Sequence, residues 1–334
     1  MPTRIPARSL ALPPRHLALA VCVAAVWGVN FVVIDVGLKN FPPLLFSALR
    51  FAVAAVPAVF FVGRPRVAWR WVLAVGLVLG VVKFGLLFIG MHAGMPAGLS
   101  SLVLQSQAVF TAVFAALMLR EKATRRRLLG LAVALGGIAL AAVAEIASHG
   151  GGSAGAFALV IAAAVAWGLS NVLTRKAAPQ DMLRWMVWVS AVPPLPLLGL
   201  SLLFEGPRAD WAALSTISLT GAGAVVYVAW VSTVFGFGAW GYLMRHHEAS
   251  AVAPFSLLVP VFGMSSAWLL LGEAITLPEA AAAVLVISGI ALASISPRRA
   301  GARADGGAAG AGVPARTPLP PHAAVRAART AARG

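Results

Sequence analysis

The sequence predicts an all-α membrane protein of ten transmembrane helices, arranged as two inverted five-helix repeats. Three observations lead there. Of the 334 residues, 60% are hydrophobic and only 11% charged, with a mean hydropathy of +0.90, whereas a soluble domain carries about 25% charged residues. The apolar residues fall into ten runs, each long enough for a helix of roughly 20 residues. Short motifs in the first half return, in the same order, in the second.

The ten runs cover residues 17–38, 43–62, 69–91, 97–119, 127–145, 154–175, 182–203, 217–243, 250–271 and 279–296. The first follows Arg4, Arg8 and Arg15 and so imitates a secretory signal peptide. It runs on past the length of a signal core, however, and holds a Trp-Gly motif that recurs, so it is expected to remain as the first helix. The seventh holds Pro193, Pro194 and Pro196 and the ninth Pro254 and Pro260. Proline frees backbone carbonyls and kinks a helix, which serves either a moving gate or plain packing. The eighth, with Gly221, Gly223, Gly236, Gly238 and Gly241, is the least regular.

Basic residues in short loops set orientation. With the N-terminus cytoplasmic, 22 of the 26 Lys and Arg residues lie on the cytoplasmic side, including the group Arg120 to Arg127; Lys39 and Arg208 lie outside, and Arg50 and Lys83 lie within spans. Both termini are therefore expected in the cytoplasm. The domain organisation follows: a cytoplasmic N-terminal tail over 1–16, a first repeat over 17–145, a second over 154–296, and a disordered basic tail over 297–334, too poor in apolar residues to bury a core.

The repeat is visible in two places. Ala25-Val26-Trp27-Gly28-Val29-Asn30 returns as Val165-Ala166-Trp167-Gly168-Leu169-Ser170; Glu121 with Gly136-Gly137-Ile138-Ala139-Leu140 returns as Glu273 with Ser288-Gly289-Ile290-Ala291-Leu292. Five helices per half is an odd number, which turns the second copy upside down relative to the first. Inverted repeats around a site at mid-membrane are an architecture of secondary transporters.

A charge inside hydrocarbon is costly and marks a functional site by default. Counted at about 1.5 Å per residue, Asn30, Arg50, Lys83 and Gln105 all lie roughly 10 to 12 Å deep on four different helices, with Gln107 a little deeper. Their convergence predicts a solvated central cavity, although each Asn or Gln alone also fits interhelical hydrogen bonding. Trp27 and Trp167 lie away from the interfacial belts and either pack in the core or wall that cavity; Gly28 and Gly168 beside them read as close helix contacts. Asp35 either pairs with Arg50 or Lys83 or reaches water. The offset of the repeat places Phe235 opposite Lys83, Leu257 opposite Gln105 and Val187 opposite Arg50, so polar recognition is expected chiefly from the first half.

The net charge of +16 does not indicate nucleic-acid binding, because the basic residues sit between apolar runs and in the tails rather than on one face with stacking aromatics. The lone Cys22 excludes an intrachain disulfide framework. The histidines, His16, His92, His149, His246, His247 and His322, include no i,i+4 pair on one helix, and nothing in the sequence calls for a metal or cofactor or supplies a catalytic constellation.

In these motifs the chain resembles the EamA-domain transporters of the drug/metabolite transporter superfamily. The resemblance rests on Trp27-Gly28-Val29-Asn30-Phe31, on Leu49-Arg50-Phe51, on Glu121 and Glu273 after the fourth and ninth helices, and on the repeated Gly-Ile-Ala-Leu. Pro43-Leu44-Leu45-Phe46, the stretch from Gly94 to Gln105, and Gln107 look like the O-acetylserine/cysteine exporters within that superfamily. The resemblance implies an inner-membrane exporter in which helices 1 to 4 and 6 to 9 surround the cavity and helices 5 and 10 are peripheral. A proline at the level of Pro260 is common in the family, and the first half has Ala108 there.

The expected function is export of a small amino-acid-type metabolite, cysteine, O-acetylserine or a relative, by alternating access. Arg50 and Lys83 would hold its carboxylate, Gln105, Gln107 and Asn30 would hydrogen-bond it, and Trp27 and Trp167 would line the wall. A multidrug-type exporter of amphipathic compounds is the alternative, and an intramembrane enzyme or a non-transporting sensor a remote one. The partners expected are a small-molecule substrate and the lipid bilayer, with a homodimer left open.

Overall fold

A computed structural model describes residues 12–149 and 152–294; the basic tail expected over 297–334 and residues 1–11 lie outside the described residues. Among the described residues ten helices are long and apolar enough to cross a membrane: α1 Pro14–Leu38, α2 Pro43–Val62, α3 Trp69–His92, α4 Ala97–Leu119, α5 Arg125–Ser148, α6 Ser153–Ala177, α7 Met182–Phe204, α8 Leu219–His246, α9 Ala253–Leu271 and α10 Leu277–Ser294. A turn of helix, Ala249–Val252, leads into α9. The near face is the one at which α1 begins, and the far face is the opposite one.

The first helix starts earlier than the tail boundary at residue 16 implied, because Pro14 is preorganised for the first helical turn and Pro13 O accepts from the N–H groups of His16 and Leu17. A short helix that the apolar pattern did not show, Pro207–Ser215, lies on the far face between α7 and α8.

Several helices depart from α geometry within the span. α3 is π-helical over Gly76–Lys83 and α8 over Tyr227–Phe235. Lys83 and Phe235, paired by the repeat offset, each end their π segment. α4 tightens to a 3-10 turn at Leu104–Ser106 and α9 at Ala253–Leu257. α7 is interrupted between Ser190 and Pro194, where Pro193 removes a backbone donor. Such irregular backbone is tolerated at membrane depth where it is buried in protein or lines a cavity. Pro254 lies in the 3-10 turn of α9, whereas Pro260 lies in the regular helix that follows it.

The repeats interlock by exchange: α1 crosses α9, and α6 crosses α4. At the first crossing a Cβ on Gly28 would fall 2.5 Å from Phe262 Cβ; at the second, a Cβ on Gly168 would fall 2.7 Å from Phe110 Cβ. Only glycine admits these approaches, and both glycines are the close contacts that the sequence suggested. α5 and α10 pack chiefly on each other, to one side of the remaining eight helices.

The ends of α4 and α9 are built alike. Arg120 (φ 54°) and Gly272 (φ 72°) are left-handed, and the N–H groups of Glu121 and Glu273 turn back to Ala115 O and Ala267 O. The carboxylates then diverge. Glu273 accepts from Ala97 N at 2.8 Å and Gly98 N at 2.9 Å, capping the far-face start of α4. Glu121 is engaged by Arg175 and lies 3.8 Å from Arg127. Another far-face cap is Glu205, which accepts from Leu44 N at 2.7 Å and Leu45 N at 3.2 Å at the start of α2.

Candidate functional site: a central cationic cavity

A cavity of about 290 Å³ lies among these helices, lined by all seven residues singled out in the sequence: Trp27, Asn30, Arg50, Lys83, Gln105, Gln107 and Trp167. Its size is near the lower end for ligand pockets, about 300 to 1,000 Å³, which suits a small metabolite.

Arg50 is 2% exposed and Lys83 4%. Arg50 Nη2 donates to Thr233 Oγ1 at 3.1 Å, while Nε and Nη1 have no hydrogen-bond partner among the described residues. Its guanidinium lies over the Phe84 ring at 4.0 Å from the centroid, and Lys83 Nζ lies 3.4 Å from the same centroid and 4.8 Å from that of Trp167. Cation–π contact, worth about 2 kcal/mol when desolvated, offsets part of the cost of the two charges. Among the described residues no carboxylate lies within ion-pair distance of either cation. Asp35, which the sequence left either as a partner of one of them or as reaching water, pairs with Lys39 at 2.7 Å, its side chain 29% exposed. The i,i+4 spacing on one helix face brings those two together.

The irregular backbone feeds this cavity with polar groups. Trp27 Nε1 donates to Ser232 O, in the π segment of α8, at 3.0 Å, and its ring packs 5.3 Å from those of both Phe237 and Trp240. Gln105 Nε2 donates to Ser256 O at 3.2 Å, joining the 3-10 turns of α4 and α9. Gln107 Oε1 accepts from Asn171 Nδ2 at 2.7 Å and from Thr111 Oγ1 at 3.2 Å. Gln107 thus lines the cavity and bonds α4 to α6 at once. Asn30 is 7% exposed, and its Oδ1 has no hydrogen-bond partner among the described residues.

Sequence reasoning missed Phe84, Asn171, Ser232 and Trp240, which also line the cavity. Asn171 follows the repeat motif directly and Phe84 follows Lys83, so adjacency was the available signal. The repeat counterparts Phe235, Leu257 and Val187 are not part of this lining, and Thr233 Oγ1 accepts from Arg50. Among the described residues no group of three or more His, Cys, Asp or Glu could hold a metal ion.

The sequence pattern of the EamA-like transporter family matches residues 15–143 and again 154–295. A "Probable amino-acid metabolite efflux pump" of Salmonella typhimurium (strain LT2) is 42% identical over 276 residues, covering 81% of this chain and 92% of that protein. A protein of the same description from Escherichia coli (strain K12) is 39% identical with the same coverage. A "Probable terminal-alkyne amino-acid exporter" of Streptantibioticus cattleyicolor is 27% identical over 262 residues, 76% of this chain and 84% of that one. A crystal structure at 17% identity superposes with a TM-score of 0.60 over 86% of this chain and 99% of its own, a likeness of fold. With both repeats matched and relatives at this identity spanning the bundle, the chain belongs to the EamA-like transporter family and is a multi-pass membrane transporter, not an enzyme.

Proposed function

We propose that this protein is an inner-membrane secondary transporter that exports small amino-acid-type metabolites, cysteine, O-acetylserine or a related compound, by alternating access, with both termini cytoplasmic. The observation that carries the reading is the pair Arg50 and Lys83, two buried cations in a small cavity with no carboxylate within ion-pair distance among the described residues. A cation at a helix centre costs roughly 2.5 to 3.5 kcal/mol on insertion scales, a burden that a substrate carboxylate relieves on binding. Lys83 and Arg50 are the carboxylate anchors in this reading, and Gln105, Gln107 and Asn30 supply hydrogen bonds. Trp27 and Trp167 form the wall against the side chain of the substrate. The 42% and 39% identical relatives, each described as a "Probable amino-acid metabolite efflux pump", support the same substrate class.

The distribution of basic residues supports a cytoplasmic near face, from which the cavity would load, releasing to the outside. The test is efflux from reconstituted vesicles loaded with a panel of labelled amino acids. Export of cysteine or O-acetylserine well above that of protein-free vesicles is expected. Export of amphipathic cations with no amino acid carried would overturn the reading.

A further inference from the structure

We infer that Glu121 and Glu273 are gating residues for transport: each carboxylate caps the start of the opposing helix in one of the two access states and releases it in the other. The inference rests on the transport reading above, though not on the identity of the substrate.

The repeat makes the two glutamates equivalent. The offset of Glu121 to Glu273 carries Ala97 to Ala249 and Gly98 to Ser250, so the near-face counterpart of the far-face cap would join the Glu121 carboxylate to the N–H groups of Ala249 and Ser250. The structure holds one member of this pair of contacts. Glu273 lies on Ala97 N and Gly98 N, whereas Glu121 is held by Arg175 and Arg127.

Packing divides in the same way. The far-face half of α4, Ala97–Val103, packs along α9 from Leu258 to Leu271, but the near-face half, Gln107–Leu119, has no comparable packing with the start of α9. The structure is thus closed at the far face, with its glutamate latched, and parted at the near face, with its glutamate unlatched.

A carboxylate on the first N–H groups of a helix is favourable because those groups lack partners within the helix and carry the positive end of its dipole. Both glutamates are fixed by the same left-handed turn, at Arg120 and Gly272, so each is delivered to a constant place at the end of its helix. In the outward-open state Glu121 leaves Arg175 and accepts from the start of α9, while Glu273 gives up α4. The two latches offset one another, and the balance between states stays within reach of a ligand's binding energy.

Single cysteines report on this in protein with Cys22 replaced by serine. Ser101→Cys sits in the first turns of α4, 1% exposed and lining the cavity, and reports opening at the far face; Ser256→Cys, in the 3-10 turn of α9, reports the near face. An impermeant maleimide is added to intact cells for the first and to inside-out vesicles for the second. Glu273→Gln is expected to raise the reactivity of the far-face cysteine on the order of tenfold and to slow the near-face one. Ala97→Pro removes one latching N–H while suiting the first helical position, and moves both reporters in the same direction. Adding Glu121→Gln to Glu273→Gln returns the reactivities toward the parent, because the outward-open state then loses its own latch.

Far-face cysteines that stay shielded in both Glu273→Gln and Ala97→Pro, at membrane abundance equal to the parent, would overturn the inference. A double variant more reactive at the far face than Glu273→Gln alone would do the same. Labelling needs no substrate, so gating that behaves as described without amino-acid export retires the substrate assignment and leaves the latch standing. Export with unmoved labelling does the reverse.

Discussion

Arg50 and Thr233 meet across the repeat boundary: Arg50 Nη2 on α2 donates to Thr233 Oγ1 in the π segment of α8 at 3.1 Å. Thr233 Oγ1 donates its own hydrogen bond to Val228 O at 2.7 Å, five residues back. The π segment therefore supplies both the acceptor for Arg50 and the carbonyl that orients it. Thr233→Val is expected to destabilise the protein by about 1 to 3 kcal/mol, because a buried charged donor loses the one acceptor it has among the described residues. Thr233→Ser should keep most of the parent stability. Thermal unfolding in one detergent, with the two variants side by side, checks this; equal melting temperatures would remove the bond from the account.

Lys83→Met should insert and fold with stability equal to or above the parent, since it removes a buried charge and keeps the length of the side chain. Export of carboxylate-bearing substrates should be lost. Amino-acid amides, which lack the carboxylate, should lose much less. If the variant exports cysteine at the parent rate at matched abundance, Arg50 alone is the anchor.

The basic residues predict the topology. A cysteine placed at Arg126 should escape an impermeant reagent added to intact cells, and one placed at Lys39 should react. The opposite pattern would invert the protein in the membrane and reverse the direction of transport proposed.

Glu121 carries a pH signature. The hydrogen bond from Arg175 holds its carboxyl below the ordinary value of 4.5, with the charges of Arg175 and Arg127 adding to this and partial burial opposing it. A depressed carboxyl contributes stability above its unfolded pKa, and that contribution is lost as pH falls through the folded value. Arg175→Gln should therefore lower the melting temperature slightly at neutral pH, and the gap should close as pH drops below about 4.5. High salt should shrink it too, because the pair is partly exposed. A gap of the same size at pH 7 and pH 3.5 would show that Arg175 acts through packing alone.

The sequence by itself determined the ten spans, the inverted repeat and the depth of the polar side chains. It could do so because the bilayer fixes where a helix starts and ends and helix rise is constant; Asn30, Arg50, Lys83 and Gln105 could thus be set at one level by counting. Only the tertiary structure decided which way each helix is turned and what each side chain meets. In lipid the outer face of a helix is as apolar as its core face, so periodicity does not fix rotation about the helix axis, and packing and interhelical hydrogen bonds do. That is why Asp35 could be read either as pairing with Arg50 or Lys83 or as reaching water without its pairing with Lys39 being visible, and why Gln107 could be read as cavity lining without its bond to Asn171. The partner of Glu273 was out of reach for a further reason. Its contact with Ala97 and Gly98 joins residues 175 and 176 positions apart, and depends on which face of the transporter is closed, a property of the conformational state rather than of the chain.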